Sequence, residues 1–312
     1  GFGRVINIGS GASKRASASL AYVTAKHGLV GFTRQLAASV GELGITVNCL
    51  CPGWTNTSLL DWDKVAGVLA KQEPLWTPGT GYAYHAITQG WLVGEVIRRA
   101  TGKTVGELLS ERITGPLRAE AYIGLPAAAS HRMATMQVGE TLSRQSAQQA
   151  AGGENWPLLA LTLGDALPLT LVTPDGGFND PRLWSAEFPA AGGIADARSL
   201  ARIWSATVRA TDGVRLLKPE TIATATRTQS KGSPVFEALP PWSRWGMGFQ
   251  LDSDARRYLT PAGFGHDGAG GQVAFAEPGV GLGFAYLTNL MEGAGDTRAT
   301  GIIDALRRVM LG

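Results

Sequence analysis

The sequence predicts an α+β chain in two unequal sections, and three observations carry that reading. The first fifty residues run β-rich, helical and β-rich in turn. The chain changes character near residue 58. Beyond it, a helical run at Gly90–Arg99 and a β-rich run at Val273–Ala276 stand among Pro- and Gly-marked turns. With 312 residues, 44% of them hydrophobic and 17% charged, the chain can bury a full core as one large or two smaller domains.

The elements of the first section follow from local pattern. Arg4-Val-Ile-Asn-Ile8 and Ile45-Thr-Val-Asn-Cys-Leu50 are short β-branched runs, the second closed by Pro52-Gly53, and Leu20 to Val40 carries apolar residues at helical spacing. Strand, helix and strand in this order describe one parallel crossover unit. Within it Ser10 precedes Tyr22, and Lys26 follows Tyr22 by four positions, a step that stacks phenol and ammonium on one helical face. An ammonium so placed lowers a phenol's pKa and readies it for proton transfer.

These pieces resemble the active-site half of the short-chain dehydrogenases. The matching stretches are Asn7-Ile-Gly-Ser10, Ala21-Tyr-Val-Thr-Ala-Lys26, and Gly44-Ile-Thr-Val-Asn48 running into Cys51-Pro-Gly53. The resemblance implies a catalytic set of Ser10, Tyr22 and Lys26 and an NAD(P) cofactor. The glycine-rich turn that would cradle a dinucleotide pyrophosphate is not found before these motifs, so hydride transfer is not expected of the chain by itself. The Gly263-x-Gly265-x-x-Gly268 match runs into Gly270-Gly271 rather than a helix and is a poor nucleotide site. Tyr22 and Lys26 also read as a helix face that has lost its task.

Composition narrows the partners. The net charge of +3 comes from scattered basic residues with no phosphate-tracking stripe, which argues against nucleic acid. No apolar stretch approaches a membrane span and no signal-peptide layout is found, so a cytoplasmic protein is expected, although a start at Gly1 leaves room for a removed leader. Cys49 and Cys51 share one face of a strand; they read as buried small apolar residues rather than a disulfide or metal ligands. No metal is expected.

The second section carries the longer resemblance. The blocks are Trp76-Thr-Pro-Gly-Thr-Gly-Tyr-Ala-Tyr84-His85, Gly90 to Arg99 with Thr101-Gly102, Glu187-Phe-Pro-Ala-Ala-Gly-Gly193, Trp245-Gly-Met-Gly-Phe249, and Gly265-His-Asp-Gly-Ala-Gly-Gly271 before Val273-Ala-Phe-Ala276. In this order they resemble a class C β-lactamase-like serine hydrolase of the family VIII carboxylesterase kind. The resemblance implies a β-lactamase/transpeptidase-like antiparallel sheet with helices over residues 58–312, preceded by the dehydrogenase-like segment 1–57. It puts Tyr84 at the catalytic tyrosine, with Ala86 where an asparagine is expected. It puts His266-Asp267-Gly268 at the motif on the strand edging the site, and the Ala269 N–H at one oxyanion-hole position. Glycine at 268 is then explained by close approach of substrate to the strand. His266 and His85 each also read as structural residues, and Tyr84 as a half-buried loop aromatic.

The nucleophile of such an enzyme, a serine three positions before a lysine, is missing from these 312 residues. The lysines at 14, 26, 64, 71, 103, 218 and 231 follow Gly11, Val23, Asp61, Val68, Ala100, Arg215 and Thr228 respectively. A sheet without the strands and helix that accompany that motif exposes unpaired edges. One structural expectation is that the first section covers them, with the helix from about Ser19 to Val40 bringing Lys26 or Ser10 beside Tyr84. The opposing one is that the sections pack as separate units. Three functions stay open: a weak or altered hydrolase of small acyl esters or β-lactams, acting without a cofactor; an NAD(P)-dependent oxidoreductase fragment needing a partner chain; and an inert binding module. A homo-oligomer is compatible with each.

Overall fold

Near the N-terminus the two β-branched runs and the helical run form the expected parallel crossover. β1 (Gly3–Ile8) pairs with β2 (Ile45–Leu50) from Gly3↔Ile45 to Ile8↔Leu50, and α1 (Leu20–Val40) connects them. The computed structural model describes residues 2–10, 13, 20–51, 61–151, 156–163, 167–236 and 238–312, without the side chains of residues 20–22, 150 and 151. The Pro52-Gly53 turn, the change of character near residue 58 and the Tyr22 side chain therefore lie outside the described residues.

Alternation along the strands decides what this unit buries. Asn7 faces α1 and donates from Nδ2 to the buried Thr33 Oγ1 at 2.9 Å, and Val47 is buried on the same side. Ile6, Ile8 and Leu50 lie on the other face and are 63%, 55% and 57% exposed, so the unit packs on one side alone. Cys49 and Cys51 are free thiols, half-buried rather than buried, with sulfurs 3.7 Å apart.

The larger section is organised by helices on two faces of an antiparallel sheet. β5 (Arg244–Trp245), β6 (Gln250–Leu251), β7 (Phe264–Gly268), β8 (Gln272–Glu277) and β9 (Leu282–Tyr286) lie side by side in chain order, while β3 (Ala121–Ile123) pairs with β4 (Gly193–Ala195) apart from them. α2 (Trp62–Leu69) meets α3 (Thr88–Thr101): Trp62 Nε1 donates to Glu95 Oε2 at 2.7 Å, and Arg98 reaches Asp63. Hydrogen bonds from Trp62, then Arg99 and Arg98, lower the Glu95 pKa to about 2. Trp91 of α3 meets Phe188 edge-on at 5.0 Å in a core shared with Ile87, Leu171 and Met291.

Side-chain alternation in β8 selects which helix covers which face. Val273 and Phe275 pack with Tyr258 and with Ala299 and Ile303 of α5 (Arg298–Leu311), residues one turn apart on that helix. Ala276 and Phe264 face the other way, against Trp204 and Val208 of α4 (Ala197–Val208). Asp196 caps α4 by accepting from Ser199 N at 2.8 Å. The helix seats directly on the sheet at Gly283: a Cβ there would lie 2.2 Å from both Ala201 O and Ser205 N.

The antiparallel sheet with helices is as expected, and residues 2–51 form the expected β-α-β unit. The expectation that the first section covers the hydrolase sheet is not met among the described residues. β1 and β2 pair with each other alone, and none of the buried clusters of the larger section includes a residue from 2–51. Within the unit, β1 and β2 pair with each other and one face packs on α1, while Ile6, Ile8 and Leu50 of the other face stay exposed.

Overpacking at the α4 seat is the direct test of this layering. Gly283→Val is expected to destabilise the fold by about 1–3 kcal/mol in chemical denaturation. Gly301→Ala, on the open face of α5 with nothing within 4 Å, is expected to be neutral or stabilising by about 0.5–1 kcal/mol.

Candidate active site

Tyr84 owes its position to restraints on either side in the chain. Before it, Pro78-Gly79 turns with Gly79 at φ +84°, and Thr80 donates to Thr77 O through N at 3.2 Å and Oγ1 at 2.7 Å. Tyr82 O accepts from Val235 N at 2.8 Å, and the Tyr82 hydroxyl donates to Gly232 O. After it, Ala86 packs on the core where Ile87 is buried, so the tyrosine is carried on a loop fixed at both ends. Alanine at 86 thus has a packing role.

The ring of Tyr84 stacks on Trp245 of β5 at 5.3 Å and 18°, and His266 of β7 closes the group at 6.1 Å from Tyr84 and 5.5 Å from Trp245. His266 Nδ1 meets the Asp267 backbone carbonyl. Because that partner only accepts, Nδ1 is the donor, and in the neutral ring the lone pair lies on Nε2. Burial, and after it the Asp267 carboxylate, raise the Tyr84 pKa above its ordinary 10.0, so the phenol remains a proton donor at neutral pH.

β7 alternates between two neighbourhoods. His266 is paired with Ala274, whereas Asp267 is paired with Val273, which packs with α5. The Asp267 carboxylate accepts Arg256 Nε at 2.7 and 3.0 Å, and Arg256 Nη1 donates to Thr300 Oγ1 of α5 at 2.9 Å. Gln250 Oε1 accepts from Asp267 N at 3.0 Å, and its Nε2 donates to Ser243 Oγ at 3.2 Å.

The strand ends at Gly268, and Ala269 opens the turn to β8 rather than continuing β7. No turn or loop hydrogen bond uses the Ala269 N–H among the described residues. The turn is held in place at Gly270, whose carbonyl accepts from Glu292 N at 3.2 Å and Arg298 Nη2 at 3.2 Å. A Cβ at Gly268 would stand 2.7 Å from Gln272 Cβ, so the cross-strand neighbour already accounts for glycine there.

Tyr84, His85, Trp245, His266, Gly268 and Ala269 all line one cavity of about 2150 Å³. Its walls continue into the core through Ile87, Leu171, Leu183 and Met291, and it exceeds the ordinary ~300–1,000 Å³ of a small-molecule site. His85 Nδ1 contacts Ala83 O at 2.9 Å on its rim. No described residue from 2–51 lines it, so Ser10 and Lys26 are not on the cleft wall. Lys26 Nζ instead donates to Ile8 O at 3.2 Å, and Ser10 N donates to Ser13 Oγ at 2.9 Å within the β-α-β unit. Among the described lining residues there is no lysine, and Ser243 is the one serine. No group of three or more His, Cys, Asp or Glu able to hold a metal occurs among the described residues.

Sequence reasoning missed Trp245 as a wall of the site, and it missed Asp267 and Arg256 as the pair that fixes β7. Trp245 opened a block whose order was recognisable, whereas Arg256 carried no local signal.

Residues 49–307 match the beta-lactamase family model, and residues 1–64 match the short chain dehydrogenase model. The esterase/beta-lactamase LipL of Mycobacterium tuberculosis is 30% identical over 252 residues, 76% of this chain and 54% of that protein. The chain thus spans about half the length of that curated relative. The D-beta-hydroxybutyrate dehydrogenase of Cupriavidus necator is 48% identical over 60 residues, 19% of this chain and 23% of that protein. A solved family VIII carboxylesterase superposes with a TM-score of 0.66 at 31% identity, covering 83% of this chain and 67% of that one.

The Tyr84 environment makes one titration informative. Following the ultraviolet phenolate band against pH in wild type and Tyr84→Phe, the lost tyrosine is expected to ionise above the ordinary 10.0. A lost transition below that value contradicts the account.

Proposed function

Starting from the chain's membership of the β-lactamase family, with a short-chain-dehydrogenase segment at its N-terminal side, we propose that it is a carboxylesterase of altered mechanism acting on small acyl esters. The observation that supports this reading is that Tyr84, His266 and Ala269 all line one apolar cleft, with Tyr84 and His266 in ring contact. Each group has a part in the reaction. His266, with a lone pair on Nε2, takes a proton from an attacking water. The Ala269 N–H donates to the oxygen on which negative charge develops, Tyr84 gives a proton to the leaving alkoxide, and the proton taken up by His266 passes to the Tyr84 phenolate through water to close the cycle.

These 312 residues hold no serine three positions before a lysine, so for this chain by itself water attack sets the scale of the rate. Loss of the nucleophile in a covalent hydrolase commonly costs on the order of a million-fold. Ser243 lines the cleft but accepts its hydrogen bond from the Gln250 amide, which is no base, so it does not replace an activated serine. The expected enzyme is slow.

Release of p-nitrophenol from the acetate and butyrate esters tests this, with ethyl butyrate and nitrocefin alongside. Activity is expected to be slow but above the buffer rate, to fall about 10²-fold or more in His266→Ala on every ester, and to fall by a similar factor in Tyr84→Phe on ethyl butyrate, whose alkoxide needs the proton, rather than on the p-nitrophenyl esters, whose leaving group departs as the anion. Activity unaffected by both substitutions, or none with any ester, contradicts the reading, and the absence of turnover favours a binding module.

The dehydrogenase match favours a second reading for residues 1–64, a nicotinamide-dependent unit completed by a partner chain. Quenching of tryptophan fluorescence by NADH supports it, and no quenching with undiminished esterase activity removes it.

A further inference from the structure

The protein is basic overall, at +3, yet the wall of its cleft is not. Among the described residues the charged ones lining it are Glu73, Glu120, Asp196, Asp267 and Arg132, four carboxylates against one guanidinium, with Arg256 behind the wall paired to Asp267. Among the described residues both arginines at the cleft are already engaged. Arg132 pairs with Glu120, and its field also acts on Asp196, while Arg256 is held by Asp267. Among the described residues no lysine lines the cavity, and the histidine at 266 is fixed through Nδ1 on a backbone carbonyl. Around these groups the lining is apolar and aromatic, including Trp76, Phe236, Trp242 and Trp245.

An acyl compound bearing its own carboxylate, as β-lactams do, enters such a site against the field and finds no cation to pay for its desolvation. An uncharged ester loses nothing polar that the apolar walls must replace, and an ammonium-bearing one gains from the carboxylates. We propose that the cleft selects uncharged or amine-bearing apolar esters and turns away carboxylate-bearing acyl compounds, with the Glu120–Arg132 pair as a determinant of that choice. This rests on the esterase reading for its chemistry, but charge selection is a property of binding and is measured without turnover.

Three unreactive probes of similar length separate a field from simple apolarity: 4-phenylbutan-2-one, 4-phenylbutylamine and 4-phenylbutyrate, each titrated by tryptophan fluorescence quenching. An apolar cleft without a field penalises both ions alike. The account expects the ketone to bind tightest, the ammonium to bind about tenfold or more tighter than the carboxylate at low salt, and the ratio between the ions to shrink as salt is raised. Glu120→Gln, which frees Arg132 on the exposed rim, is expected to improve carboxylate binding about two- to fivefold and to leave the ketone unchanged. A carboxylate that binds as well as the ammonium, a Glu120→Gln protein with the wild-type ratio, or no quenching by any probe overturns the proposal. Loss of esterase activity with the ranking intact would instead count against the hydrolytic reading alone.

Discussion

The Arg256–Asp267 pair is the constraint on which the candidate site depends. Both side chains are largely withdrawn from water, and the carboxylate takes two contacts from Nε while Nη1 continues to Thr300 on α5. A partly buried pair of this kind contributes little by attraction alone but is costly to break, because either partner left alone keeps a desolvated charge. The pair therefore fixes β7 against the terminal helix. Strand alternation then leaves His266 on the opposite face, beside Trp245 and Tyr84. Asp267 reaches across in one further way: after burial, its charge adds to the upward shift of the Tyr84 phenol.

The C-terminal end of β7 is secured twice over. Gln250 ties the Asp267 backbone to β6, and Arg298, itself bound to Asp296 through Nε at 2.9 Å, pins the Gly270 carbonyl beyond the strand. The turn that presents the Ala269 N–H is thus set from outside the cleft. Preorganisation of this sort is what an oxyanion site requires, since a donor that must be reoriented during reaction stabilises little. A tyrosine beside a lysine acts as a base. Tyr84, with no lysine in the cleft wall among the described residues and a raised pKa, is suited to donate a proton instead.

Much of the fold was legible because it is local. The helix at Leu20–Val40 and the strand at Ile45–Leu50 have the limits that apolar spacing gave them, and the run around Gly90–Arg99 extends by only a turn's fraction at each end, to Thr88–Thr101. The site was legible in so far as it resembled ordered motifs: Tyr84, His85, His266, Gly268 and Ala269 do share one cavity. What was not legible depends on tertiary pairing. The stacking of Trp245 on Tyr84 joins distant parts of the chain, and the partnership of Arg256 with Asp267 is decided by sheet register. The expected approach of Lys26 or Ser10 to Tyr84 failed for a similar reason. A helix face specifies what α1 can cover, and its nearer partner, the β1–β2 pair, already occupies it.

The central claim is that this cleft can hydrolyse an ester with water attacking directly, without an acylated side chain. Intact-mass measurement of the protein during turnover of p-nitrophenyl butyrate, quenched in acid at short times, addresses it most directly. The account predicts unmodified protein at every time point, with product accumulating linearly and no initial burst. A butyryl adduct that forms and decays at the turnover rate, on Ser243 or on any other residue, would contradict it.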